Sequence, residues 1–267
     1  FEEEYENLKQ RRNFKEISGT FLTVINPISH WIYKVPDDEN NHQIHKKFLT
    51  YVNFLLQISS ISYDIFNHST EILLRIVKPK RTEYNRENDW YKRVCDSANM
   101  IAMKAIRDVL PKFDKFILAR CFPGLANLLL LFVYSGNNAG HTFLKKYVIP
   151  FYAENQESSE VQILDLFSRI ANLGYCNDEE IDGMLSIVND IIERGRIYHD
   201  PQAALFNLIT DLSKIRPEIS ASYAELALSV FKDIKDDPMQ SLMKFHIARF
   251  LLSSFNANPQ EFQELYP

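Results

Sequence analysis

His42 and His45 stand three residues apart, a spacing that places two imidazoles on one face of a helix. Two imidazoles begin a metal site, but a zinc centre takes at least a third protein ligand. The nearest carboxylates, Asp37, Asp38 and Glu39, lie in a polar stretch, so the expected reading is a pair of surface histidines. Cys95 and His68 supply the other reactive combination, a thiol nucleophile and a base. No glycine elbow and no helix-start context surrounds that thiol, and a buried structural cysteine is expected instead. Gly136 to Gly140 is the one clear flexible turn, and it lacks the Lys and Ser/Thr that complete a phosphate-binding loop. Asp178, Glu179 and Glu180 are expected to stabilise a helix start through its dipole, not to act as an acid/base pair. Lys78, Lys80 and Arg81 form the densest basic spot. No aromatic platform or basic groove accompanies them, so they read as solvated loop charges. The sequence thus offers no catalytic residue and no metal ligand. It assigns no cofactor-binding residue, and no cofactor is expected in this fragment.

The elements that would position any such groups are helices. The chain has 267 residues, is 46% hydrophobic and 13% aromatic, and contains only 7 glycines. That is enough apolar material for a large core with few tight hairpins. Val161, Leu164, Leu166, Phe167, Ile170 and Leu173 recur mostly at three- and four-residue steps, as do Phe48, Tyr51, Leu55, Ile58, Ile61 and Ile65. No stretch alternates cleanly with period two. The expected fold is all-α, a multi-helix orthogonal or antiparallel domain or an irregular α-solenoid, spanning residues 1–267 with a possible subdivision near 136–140.

Helices are expected near 4–34 (disturbed by Pro27), 42–77, 88–109, 112–135, 141–153, 159–173, 178–195, 201–215, 217–234 and 238–256. Pro36, Pro79, Pro111 and Pro150 mark expected helix ends. Asp200–Pro201 and Asp237–Pro238 read as N-caps followed by a first-turn proline. Ser159 with Gln162, and Asn177 with Glu180, resemble capping boxes. The segments 37–43 and 78–89 read as exposed polar loops.

The same composition excludes several classes. A formal net charge of -5 is a poor basis for nucleic-acid binding by this chain alone. Three scattered cysteines, Cys95, Cys121 and Cys176, argue against a disulfide framework and for a reducing compartment. The longest apolar run, Ala126 to Tyr134, is too short for a bilayer and reads as a buried helix. The chain opens on Phe1 and three glutamates with no signal-peptide shape, which suggests a piece of a longer protein.

One ordered set of segments is more specific than periodicity. Trp31 to Pro36 ends a helix with a tryptophan and then a proline. A long apolar helix closes with Ser62 to Asn67, Glu71 to Arg75 and Lys78–Pro79. After a polar loop comes Cys95-Asp-Ser-Ala98-Asn99-Met100-Ile101, and a further helix leads into Pro123 to Leu131. This order resembles the regulatory "middle homology" domain of fungal zinc-cluster transcription factors over about residues 20–135. Here the family's Arg-Pro pair is split between Arg75 and Pro79, and the second Ala of its Cys-x-x-Ala-Ala start is Asn99.

The resemblance implies a nuclear regulatory domain controlling transcriptional activation, with cytoplasmic localisation as the alternative. Its partner would be a small-molecule effector or a coregulator protein. DNA would be contacted only through a zinc-cluster domain outside this fragment, and no membrane is involved. Within the resembling segment, Tyr63, Phe66, Cys95 and Asn99 are expected as core or capping residues. The alternative function is a HEAT- or armadillo-like scaffold for protein–protein interaction, suggested by successive helix pairs from 141 to 256. An enzyme is not expected, because paired carboxylates or metal ligands at helical spacing are missing.

Overall fold

The three- and four-residue apolar period is realised as helix throughout the described chain. The computed structural model describes residues 42–77, 89–196, 202–234, 238–257 and 259, and no strand occurs among them. In order, the helices are α1 His42–Ile58, α2 Tyr63–Val77, α3 Asp89–Asp108, α4 Lys115–Arg120, α5 Phe122–Ser135 and α6 Ala139–Phe143. They continue as α7 Ile149–Glu154, α8 Gln156–Asn172, α9 Asp178–Glu193, α10 Gln202–Ser213, α11 Glu218–Asp233 and α12 Pro238–Ala257. The chain divides into two compact units, Phe1–Phe151 and Tyr152–Pro267. The division falls inside α7, beyond the Gly136–Gly140 turn. The expected helix over 4–34, Pro36, Pro79, Asp200–Pro201 and Asp237 lie outside the described residues.

In the first unit α5 is the central element. Leu125 and the run Leu128 to Val133 are buried on all sides, which is why the helix reads as continuously apolar. Its largest partner is α2, and α2 packs in turn on α1 and α3. Phe66 of α2 is fully buried and meets Phe113 edge-to-face, with ring centroids 5.2 Å apart. Close approach at this crossing depends on Gly124, whose missing Cβ would sit 2.5 Å from two carbons of the Phe66 ring. Asn67 ties the corner together. Its side-chain oxygen accepts from the Gly124 N–H at 2.9 Å, and its amide donates to Arg120 O at 3.0 Å. One side chain of α2 therefore caps the end of α4 and the start of α5.

Three of the expected helix boundaries are corrected. The expected helix over 42–77 breaks at a 3₁₀ turn, Ser59–Ile61, followed by extended Ser62. There the Ser59 hydroxyl donates to Leu56 O at 2.7 Å, offering the backbone an alternative to the helix. The expected helix over 112–135 is a 3₁₀ turn, Leu110–Lys112, then α4, then α5. Asp114 caps α4 by accepting from the Ile117 N–H at 2.7 Å. Pro150 does not end a helix. The preceding turn, Leu144–Val148, is π, and the Ile149 N–H reaches back to Leu144 O. The extra residue in that turn opens room for a ring that would otherwise meet the carbonyl four residues earlier. At Gly136, with φ 67°, α5 closes in a left-handed cap: the Gly136 and Asn137 N–H groups donate back to Val133 O and Phe132 O.

In the second unit α8, α10 and α12 adjoin in sequence, and α11 packs on α10 and α12. Tyr223 of α11 donates its hydroxyl to Asn189 of α9 at 2.7 Å, a direct link between the helices on either side of α10 in sequence. Asn177 and Glu180 form the expected capping box at α9, both bonds at 3.0 Å. Ser159 does not cap. The helix starts earlier, at Gln156, and the buried Ser159 hydroxyl donates to Asn155 O at 2.7 Å.

Two buried carboxylates tie these helices together: Glu160 joins α8 to the end of α9, and Asp211 joins α10 to α8. Glu160, 1% exposed, accepts from Arg194 at 2.8 Å and Arg196 at 3.2 Å. Arg194 also donates to Asp190 and to the Tyr152 hydroxyl, which itself donates to Asp190 at 2.7 Å. Asp211 accepts from Ser168, from Asn172 at 2.6 Å and from Lys214 at 2.6 Å. Each buried charge thus has several donors, the condition under which such groups are tolerated.

Candidate ligand groove

Helical spacing places Lys46, Leu49, Thr50 and Asn53 on one face of α1. Arg93, Val94, Ser97, Met100, Ile101 and Lys104 share a face of α3. The two helices pack against each other and leave between them an open cavity of about 600 Å³ lined by these residues and Asp96. That volume falls within the range of small-molecule sites, roughly 300–1,000 Å³.

The groove is amphipathic. Leu49 and Val94 are buried at its floor, and Ile101 is half-buried. Met100, 68% exposed, covers one side with an unbranched, adaptable chain. Lys46, Arg93 and Lys104 stand at the rim with Asp96, so the described lining carries more positive than negative charge. The Thr50 hydroxyl donates to Lys46 O at 3.0 Å and the Ser97 hydroxyl to Arg93 O at 2.8 Å, each committed to its own helix. The Asn53 side-chain oxygen, by contrast, is buried and meets no hydrogen-bond donor among the described residues. An orphaned buried acceptor costs about 1–3 kcal/mol, and a donor on a ligand would recover it.

The groups singled out from the sequence lie elsewhere. His42 and His45 fall in the first turn of α1, with their side chains outside the described residues; Lys78, Lys80 and Arg81 also lie outside them. Cys95 is buried on α3, and the His68 ring on α2 stands 3.6 Å from Glu71. Burial pushes the Cys121 thiol up to about 12, aided by Asp64. Burial, with the nearby Glu180, does the same for Cys176, also to about 12. Both remain protonated at neutral pH, and a protonated thiol is a poor nucleophile. Among the described residues no cluster of His, Cys, Asp and Glu is placed to hold a metal ion.

Of the residues carrying the resemblance, Phe66, Cys95 and Asn99 are buried. The Asn99 side-chain oxygen accepts from the Ser135 hydroxyl at 3.1 Å. Tyr63 lies half-buried, with the Arg120 guanidinium 5.4 Å from its ring centroid. An acidic hollow of about 530 Å³ on α9 includes Asp182, Asp190 and Glu193. Asp182 is held by Arg216 at 2.6 Å and Asp190 by Arg194, so their charge is already matched within the protein.

No family model, curated protein or solved structure matches this chain. Among the described residues no helix is long and apolar enough to cross a membrane.

The groove escaped the sequence reading because its two faces lie far apart along the chain. Nothing local announces that Asn53 faces the Arg93–Lys104 face of α3. One available signal was Arg93 and Lys104, about three turns apart on one face of α3, beside Met100.

Proposed function

We propose that this chain is a regulatory domain whose output is set by a small amphipathic anion held in the α1–α3 groove. The observation that carries the reading is the groove itself: apolar floor, cationic rim and the unmatched Asn53 oxygen. A carboxylate or sulfonate would lie at Lys46, Arg93 and Lys104. Its apolar body would cover Leu49 and Val94, and a hydroxyl or N–H would reach Asn53. The resemblance to the regulatory domain of fungal zinc-cluster transcription factors supports a nuclear role, with DNA contacted through a separate zinc-cluster domain. A ligand regulates by preferring one conformation, so its differential affinity sets the size of the switch.

Thermal shift with medium- and long-chain fatty acids and hydroxylated aromatic acids tests this. At about one hundred times Kd, a ligand specific for the folded state adds about 2.7 kcal/mol, which moves Tm by several degrees. Arg93→Glu with Lys104→Glu removes the shift while leaving the unliganded Tm within about a degree, because both side chains are exposed. A panel that leaves Tm unmoved, or a shift that survives the double charge reversal, overturns the assignment.

The packing of α8 on α10 and of α10 on α12, with α11 against both α10 and α12, favours a second reading, a helical scaffold for a protein partner. Small-angle scattering separates the two. A single compact body of this length has a radius of gyration near roughly 18 Å, and a scaffold is clearly larger.

A further inference from the structure

The last described helix is apolar on opposite sides. Ile247, Phe250 and Ser254 of α12 are buried, and α12 packs on α10 and α11. On the reverse side Leu242, Phe245 and Leu252 are 62%, 60% and 62% exposed, and Phe255 is 43% exposed. A helix apolar on both sides is built to be covered on both.

The spacing suits a second helix. Leu242 and Arg249, Phe245 and Leu252, and Ala248 and Phe255 are each seven residues apart, so the stripe keeps the repeat of helices that pack side by side in a left-handed coil. Read in either direction, the stripe has the same steps: three, three, one, three, three. Large apolar groups occupy both ends, and Ala248 beside Arg249 sits at the centre. A surface that matches its own reverse is what a two-fold interface requires.

We propose that this face of α12 binds a second copy of the chain, antiparallel, about a two-fold axis at Ala248 and Arg249. Leu242 then meets the partner's Phe255 and Phe245 meets the partner's Leu252. The Arg249 stem crosses over the partner's Ala248, whose small side chain leaves it room. Arg249 comes within 4.0 Å of the buried Asp211 carboxylate of its own protomer, so the two central arginines do not meet as bare charges.

The area fits a weak dimer. With about 200 Å² for a phenylalanine and somewhat less for a leucine, the four exposed side chains supply on the order of 400 Å² per copy. Adding Ala248 and the Arg249 stem brings the pair to about 1,000 Å², the lower edge for a specific interface. A contact of this size is that of a reversible dimer. It is independent of the α1–α3 groove.

Sedimentation velocity of the full chain from about 1 to 300 μM, a span that brackets a micromolar Kd, tests the proposal. The mass rises from 31.3 kDa toward twice that value and stops there, because a two-fold contact closes on itself. Leu242→Glu and Leu252→Glu each weaken the association at least tenfold, with circular dichroism unchanged because both positions are exposed.

Register is read by cross-linking. An Ala248→Cys variant is captured as a covalent dimer by a short bismaleimide. A Leu242→Cys variant is not, since its counterpart lies about 20 Å away along an antiparallel helix pair. A monomer at every concentration, a mass that grows past the dimer, a dimer indifferent to both glutamates, or capture at position 242 overturns the proposal.

Discussion

Gly124→Ala is the sharpest probe of the first unit. A Cβ at this position would lie 2.5 Å from both Cδ1 and Cε1 of Phe66 and 2.7 Å from Asn67 Oδ1. Ordinary contact needs close to another ångström, and the Phe66 ring is fully buried and cannot swing out to solvent. Overpacking of this kind costs about 1–3 kcal/mol. Displacing Asn67 also weakens its bond from the Gly124 N–H, a further contribution of about 0.5–1.5 kcal/mol. The helix-propensity gain of alanine over glycine offsets at most about 1 kcal/mol. The net expectation is a loss of about 2 kcal/mol.

In a urea titration the midpoint falls by about 1 M at unchanged slope. Adding Phe66→Leu removes the colliding ring carbons, so the double variant is more stable than the two single losses sum to, by about 1 kcal/mol or more. A Gly124→Ala protein as stable as the parent, or single losses that simply add, would refute the account of the α2–α5 crossing.

Glu160→Gln leaves two guanidinium groups facing a neutral partner in the second unit, and a loss of about 3 kcal/mol is expected in thermal melts; a change under about 0.5 kcal/mol would show that the carboxylate is not a structural node. Asn177→Ala removes one half of the capping box at α9 and costs about 1 kcal/mol, with first-turn amides of α9 losing exchange protection before the rest of the helix. His246 pairs through Nδ1 with the Asn207 side-chain oxygen at 2.8 Å, and burial together with Arg249 lowers its pKa below the ordinary value. The unfolded chain therefore binds this proton more readily, and the contribution of neutral His246 is complete above about pH 6.5 and is lost as pH falls from there toward its folded pKa. Tm measured at pH 7.5 and 5.5 reads this, and His246→Gln should reduce the difference.

The all-helical architecture was legible because burial and period coincide along α8, α9 and α11, where apolar residues return every three or four positions. The Asn177–Glu180 cap was legible because its partners are local. What failed involved competition between two local options or contacts distant in sequence. The apolar pattern Leu55, Ile58, Ile61, Ile65 runs through the break at Ser59–Ser62, since a 3₁₀ turn barely shifts the face. Ser159 looks like a cap, yet its hydroxyl serves equally well inside a helix by bonding one turn back. Pro150 marks a helix end unless a π turn precedes it, and Leu144–Val148 carries no sequence signature of one. The bonds from Arg194 to Glu160 and Tyr152, and the α1–α3 groove, join residues more than thirty positions apart, where single-sequence spacing holds no information.

The corner at Cys121 has a consequence for the order of folding. The ends of α4 and α5 find their hydrogen-bond partner in Asn67, more than fifty residues upstream, and not in neighbouring side chains. A peptide containing only those two helices would have to solvate Arg120 O and the Gly124 N–H, so the bend gains its stability only when α2 docks. Amide exchange at Gly124 then proceeds only through opening of the α2 crossing, at the rate of that tertiary event and not of local fraying. An amide near the start of a helix, ordinarily among the first to exchange, becomes a clock for the assembly of the first unit.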